Sequence, residues 1–122
     1  QQNHSIKIEG EFKKVNIDNS YDILKPKFTI NNNKQKIAVT ANEGNFLNND
    51  KILLQNNVLF ESNNFKIYSD KVLFDKKNQT ATSQEKSTFI SNGTKIDSEG
   101  FNITEQGTII NFNGKTKLIL NK

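Results

Sequence analysis

The chain has 122 residues, which fits a single domain, and its formal net charge is +4. It contains no cysteine and only one histidine, His4, which leaves almost no material for a zinc site or for Ser/His catalysis. Every other basic residue is lysine and no basic run occurs, so nucleic-acid binding is disfavoured. Composition therefore predicts a protein that is not an enzyme and has no cofactor and no metal.

Short runs of alternating apolar and polar residues follow one another along the chain, which is typical of half-buried β-strands. They predict strands over residues 36–41, 51–55, 57–62, 65–69, 71–75, 86–91, 109–113 and 115–120. Asn113-Gly114 and Asn92-Gly93 predict hairpin turns, because asparagine and glycine tolerate the positive φ that tight turns require. Pro26 predicts a strand start or an edge strand.

Three stretches repeat one another at a spacing of 29 residues. Thr40, Ser69 and Ser98 are equivalent positions, and so are Phe60, Phe89 and Leu118. A fixed period of this size predicts supersecondary units that stack on their neighbours. We interpret the chain as one domain with repeats at 36–64, 65–93 and 94–122 and a degenerate first unit at 1–35, where Ile8, Phe12, Val15 and Ile17 follow a looser pattern. The expected fold is all-β, with about 13 to 16 short antiparallel strands and open ends.

If the alternation holds, one apolar set of side chains faces inward. Its members are Ile52, Leu54, Val58, Phe60, Ile67, Val72, Phe74, Phe89, Ile96, Phe101, Ile103, Ile110, Phe112 and Leu118. The pattern by itself favours a filled core over an open trough. Smaller residues at equivalent positions predict more room in the middle repeat: Ala81, Ser83, Ser87 and Ser91.

Four segments follow a recognisable order along the chain. They are Pro26-Lys27-Phe28 with residues 35–41, then residues 54–60, residues 67–75 and residues 109–118. Together they resemble the periplasmic domain of the LptC family of bacterial lipopolysaccharide export. Asn56 departs from the family pattern, which often has glycine there. The same repeat also occurs in the soluble bridge protein LptA and in the jelly roll of the outer-membrane partner.

The resemblance implies an open, twisted β-jellyroll whose inward apolar set forms a lipid-binding lumen. It implies a lipopolysaccharide conduit that receives the lipid from an inner-membrane ABC transporter at the N-terminal end. A homologous periplasmic bridge protein is expected at the C-terminal edge, formed by Thr116, Lys117, Leu118, Ile119 and Leu120. The resemblance also implies a periplasmic domain with an inner-membrane anchor helix before residue 1.

Two alternatives to this function stay open, together with two questions about particular residues. The chain is an LptA-like soluble bridge, or it is a structural or adhesive β-repeat with a filled core. Carboxylates at Glu43, Asp70 and Glu99 fall near equivalent positions and either bind a hard cation or form a solvated ladder of turns, which is the favoured interpretation. Lysines at the rim, such as Lys86 and Lys115, either contact lipid phosphates or simply face solvent.

Overall fold

A computed structural model describes residues 9–15, 21–31, 35–47 and 50–120. The described residues form ten strands, all paired antiparallel, and one short 3₁₀ turn, Glu105–Gly107. The strands are β1 (Glu9–Val15), β2 (Tyr21–Asn31), β3 (Lys36–Thr40), β4 (Glu43–Phe46), β5 (Lys51–Glu61), β6 (Lys66–Asp75), β7 (Thr80–Ser83), β8 (Ser87–Ser91), β9 (Thr94–Thr104) and β10 (Ile109–Leu120). Ile8 and Ile17, assigned above to the first unit, lie outside the described residues.

Strand β6 illustrates how the sequence pattern produces the fold. Ile67 and Ser69 are buried, and after a shift of phase Val72 and Phe74 are buried. Successive side chains of a straight strand point to opposite faces, so the shift at Asp70 marks a corner where the strand bends. Both halves of β6 therefore present apolar side chains to the same interior.

Bulges at these corners bend the paired strands. Asn56 and Asn57 in β5 have φ values of 66° and 55°, and the register with β6 shifts between Gln55 and Val58. Gly114 in β10 has a φ of 73° beside a matching register shift. Asparagine and glycine adopt this left-handed conformation at low cost, and a bulge bends and twists its strand.

The bends divide the sheet into two layers that enclose the core. Layer A contains residues 27–31, β3, residues 58–61 and 66–69, β8, residues 94–98 and residues 116–120. Layer B contains residues 21–24, β4, residues 51–55 and 71–75, β7, residues 100–104 and residues 109–113. Five strands, β2, β5, β6, β9 and β10, run through both layers. When each of these five strands is counted as two straight segments, the number of segments falls within the predicted range of about 13 to 16 short strands.

Two of the three local predictions made from turn-forming residues are wrong, and the third is confirmed. Asn113-Gly114 is not a hairpin turn but the bulge inside β10, which pairs with β9 on both sides of it. Pro26 is not a strand start, and β2 is not an edge strand, because it pairs with β1 on one side and with β3 and β4 on the other; Pro26 lies buried at the corner of β2, directly after Lys25 with its φ of 54°. Asn92-Gly93 does form the turn between β8 and β9, where Ser91 pairs with Thr94.

The described residues contain no helix long and apolar enough to cross a membrane.

Candidate functional site

An inward row of side chains crosses layer A at right angles to the strands. Each member pairs with the next on the neighbouring strand, in the order Phe28, Val39, Phe60, Ile67, Phe89, Ile96 and Leu118. The first four are fully buried, Phe89 and Ile96 are half-buried, and Leu118 is 59% exposed. Burial along this row thus decreases toward β10.

Layer B carries a corresponding inward row. Its members are Ile52, Phe74, Ala81, Ile103 and Ile110, paired in that order from β5 to β10. All are buried except Ile110, which is half-buried on the last strand. Next to this row lie Leu54 paired with Val72, and Phe101 paired with Phe112. Burial in both layers therefore decreases at the same end of the molecule.

Aromatic pairs join the two layers across the interior. The ring centroids of Phe28 and Phe74 lie 4.6 Å apart, and those of Phe60 and Phe101 lie 5.7 Å apart. All four side chains are almost completely buried. These rings contact each other across the interior in tilted and edge-to-face arrangements. Side chains therefore fill the interior between β2 and β9.

A third aromatic pair lies at the open end of the interior. Phe89 contacts Phe112 across the layers at 5.5 Å and stacks on Phe65 at 5.6 Å between centroids. All three rings are half-buried, and Leu118 continues their apolar surface toward the edge. Phe65 is missing from the predicted inward set, although its spacing of two from Ile67 was a usable signal.

Buried serine hydroxyls cluster at the corner of β6, where β7 and β8 pair with it. Ser69 Oγ lies 3.0 Å from Ser83 Oγ and 3.1 Å from Ser87 Oγ. Ser83 Oγ also donates to the carbonyl oxygen of Lys71 at 2.7 Å and accepts from the backbone N–H of Glu85 at 3.2 Å. Burying hydroxyls is tolerated when they are hydrogen-bonded, and these are.

The C-terminal edge is formed by β10. Residues Thr116 to Leu120 pair with β9 on one side, from Ser98 to Thr94. No described strand lies on their other side, and apart from Ile119 these residues are exposed. A strand that is paired on one side only exposes backbone donors and acceptors on the other side, which another strand can use.

Two of the three predicted corner carboxylates, Glu43 and Glu99, accept hydrogen bonds from residues at the bulges. Glu43 Oε2 accepts from the Asn56 side-chain amide at 2.9 Å, and Glu99 Oε1 accepts from the Lys115 backbone N–H at 2.9 Å. Within the described residues, no group of three or more metal-ligating side chains converges. Glu43 and Glu99 thus contribute to the bulge geometry.

Among the described residues, one carboxyl group has a resolved pKa shift, and it lies at the turn that follows β6. The backbone N–H of Asn78 donates to Asp75 Oδ1 at 3.1 Å, and the Asn78 side chain donates to Oδ2 at 2.9 Å. These hydrogen bonds, the backbone one first, lower the pKa of Asp75, and the charge of Lys51 adds to them. The group stabilises the turn between β6 and β7.

Taken together, the two layers, the apolar interior and the free last strand define an open β-jellyroll. The chain matches the family described as lipopolysaccharide-assembly, LptC-related, over residues 11–121, and it belongs to that family. Membership in this family supports a role in lipopolysaccharide transport and a periplasmic location.

A solved structure has the same fold. The crystal structure of LptH, the LptA-homologous periplasmic component of the lipopolysaccharide transport device from Pseudomonas aeruginosa, superimposes with a TM-score of 0.69. The match covers 97% of this chain and 96% of that chain at 9% sequence identity. The comparison with curated proteins gives no significant match.

Proposed function

We propose that the chain is a non-enzymatic conduit that holds the acyl chains of lipopolysaccharide between layers A and B. The main support is the pair of inward apolar rows, which run from strand to strand and become exposed at β10. Acyl chains placed there leave water together with the exposed side chains, which stabilises the complex by roughly 0.8 kcal/mol per buried methylene. The sugars of the lipid stay outside the interior.

The filled part of the interior has to widen for a lipid to pass. Phe28 with Phe74 and Phe60 with Phe101 occupy the space that an acyl chain would take. In the proposed mechanism the layers separate at these pairs and close behind the lipid. In this proposal the domain catalyses no reaction, so the energy for directional movement comes from ATP use by the transporter.

We propose that the lipid arrives from an inner-membrane ABC transporter at the N-terminal end and leaves at β10. A homologous periplasmic bridge protein adds its first strand to the free edge of β10, with main-chain hydrogen bonds providing affinity. Such docking places the exposed Leu118 next to the partner's interior and shields it from water. An anchor helix preceding residue 1 would hold the domain at the inner membrane.

The packed aromatic pairs favour a second candidate function. A structural or adhesive β-repeat needs a filled core, and Phe60, Phe74 and Phe101 are fully buried. In that case the layers do not separate and no lipid binds between them. The likeness to LptH keeps an LptA-like soluble bridge as a variant of the conduit, and the sequence upstream of residue 1 distinguishes the two variants.

Site-specific photocrosslinking in cells tests the interior path. A photoreactive residue at Phe89 faces the open end, whereas one at the next position, Ile90, faces solvent and is 42% exposed. We expect Phe89 to capture lipopolysaccharide and Ile90 to capture none. The pair Phe74 and Leu73 repeats the comparison deeper in the interior, with capture expected at Phe74 alone.

Equal capture at Phe89 and Ile90 would reject an internal path. Absence of capture at both Phe89 and Phe74, with the transporter active, would favour the filled-core repeat.

A further inference from the structure

A groove of two adjacent stretches runs along the outside of layer A, beside the corner. Its first stretch has a volume of about 400 Å³ and is lined by Asn57, Leu59, Tyr68 and Asp70, among others. Its second stretch has a volume of about 410 Å³ and ends at Lys115 and Lys117. Both stretches include Lys86 and Thr88 in their linings, so they lie next to each other, and the two together are called the outer groove.

Strand register explains the two walls of the groove. Leu59, Tyr68, Thr88, Asp97 and Lys117 pair in that order across β5, β6, β8, β9 and β10, and they form one outward row. The corner residues, such as Asn57 and Lys86, form the other wall. With strands about 4.8 Å apart, the groove spans about 19 Å.

The lining of the groove fits linked sugar rings. The Tyr68 ring is 41% exposed and offers an apolar face against which the C–H groups of a sugar ring can pack. Around it lie an amide (Asn57), a carboxylate (Asp70) and a hydroxyl (Thr88), which supply both donors and acceptors for sugar hydroxyls. A concave surface with an aromatic face and a few convergent polar groups is the usual form of a small-ligand site.

The charges of the lining argue against a site for bare phosphate. Lys86, Lys115 and Lys117 are matched in number by the carboxylates Asp70, Asp97 and Glu99. Asp97 accepts from Thr88 Oγ1 at 3.0 Å and Glu99 from the Lys115 backbone, so both carboxylates are held in place. The resulting balance suits uncharged sugar rings better than an isolated anion.

We propose that this outer groove binds a short run of linked sugars, with Tyr68 as the platform for one ring. The assignment concerns the outer surface and does not depend on whether acyl chains enter the interior. Two sources share the chemistry: the saccharide part of lipopolysaccharide, and free glycan of the cell envelope. The groove and the interior path both end at β10, so a glycolipid can keep its sugars in one and its acyl chains in the other.

The test uses the whole domain and lipopolysaccharide from which the fatty acids have been removed. In a titration followed by amide NMR, we expect shifts at Asn57, Tyr68 and Thr88 and little change at inward residues. Tyr68→Ala should weaken binding at least about fivefold, which corresponds to about 1 kcal/mol. Tyr21→Ala is the matched control, because Tyr21 is 42% exposed on another part of the surface, and it should leave affinity unchanged.

A parallel titration with soluble peptidoglycan fragments distinguishes the two sources. Binding of either saccharide at Tyr68 supports the groove, and the tighter ligand identifies the source. Absence of amide shifts with both saccharides would overturn the proposal, as would equal weakening by the Tyr21 and Tyr68 variants. A strong loss of binding at high salt would also overturn it, because that result would indicate phosphate contacts to the lysines. Photocrosslinking of lipid at Phe89 tests the interior path, and its result does not depend on whether the outer groove binds sugars.

Discussion

Gly100 lies where β9 passes the corner, directly against the end of β7. A Cβ added at this position would lie 2.4 Å from the carbonyl oxygen of Ser83, and backbone cannot move aside as a flexible side chain can. Ser83 itself is held in the buried serine cluster by three hydrogen bonds. The close approach of the two strands therefore depends on the absence of a side chain.

Gly100→Ala should accordingly destabilise the fold by roughly 2 kcal/mol or more, in the range typical of overpacked sites. Equilibrium urea unfolding measures the loss as a lower midpoint. Thr82→Ala provides a control on the neighbouring strand, since Thr82 is exposed, and we expect less than about 0.5 kcal/mol from it. An unchanged midpoint for Gly100→Ala would mean that the corner can spread at little cost.

At the residue scale, the period of two indicated an inward direction for a set of apolar side chains, but that set omitted Phe28, Ile37 and Val39, which are also buried in the core. Ile52, Phe60 and Ile103 are fully buried as expected. Leu118 belongs to the same inward row yet is 59% exposed, because direction is a local property and burial depends on what lies opposite. Sequence spacing cannot show that residues 116–120 form the last strand of layer A, where no described strand covers their free side.

At the scale of elements, β10 is the strand that a partner would extend. Consecutive backbone N–H groups of an antiparallel strand point to alternate sides. Of Leu118 and Ile119, one therefore donates toward β9 and the other toward the free edge. This alternation separates the role of β10 in folding from its role in docking.

Proline at each of the two positions tests the docking edge, because proline removes one N–H donor and fixes φ. We expect one of Leu118→Pro and Ile119→Pro to lower the stability of the domain. The other should leave the fold largely intact and abolish binding to the homologous bridge protein, measured by surface plasmon resonance. The alanine variants of both residues keep the donors and should bind. Full binding by two folded proline variants would place the dock at the N-terminal end instead.

The element scale also shows where the sequence was ambiguous. Asn113-Gly114 fits a hairpin turn and a bulge equally well, since both need a residue with positive φ. The choice is made by pairing: Asn113 lies opposite Gly100 and Thr116 lies opposite Ser98, so a single partner strand holds both sides. The sequence pattern of one strand does not show whether its two halves pair with the same strand or with each other.

At the scale of the whole molecule, packing is uneven along the stack of strands. Phe60 is completely buried against Phe101, whereas Phe112 is half-buried against Phe89 at the open end. The interior is therefore tightly packed around Phe60 and less tightly packed around Phe112. The sequence could not decide between a filled core and an open trough, because alternation indicates which side chains point inward but not how completely neighbouring strands cover them.

Two truncations measure this gradient. Phe60→Ala should cost about 3 to 5 kcal/mol, the usual range for a buried phenylalanine. Phe112→Ala should cost about half as much or less, since part of its ring already contacts water. Denaturant titration of each variant measures its free energy of unfolding. Equal losses would show that the surroundings of Phe112 are packed as tightly as those of Phe60.

The 29-residue spacing has a consequence for how such a molecule can vary in length. Residues 65–93 contribute two strand segments to each layer, and each segment lies about 4.8 Å from the next. A tandem duplication of this segment would lengthen the molecule by about 9.6 Å and keep every inward residue in phase. Loss of a single residue inside a strand would turn the remaining half inside out. If the 29-residue segment is the unit that is duplicated or lost, the length of such a molecule changes in steps of about 9.6 Å while its terminal strand stays the same.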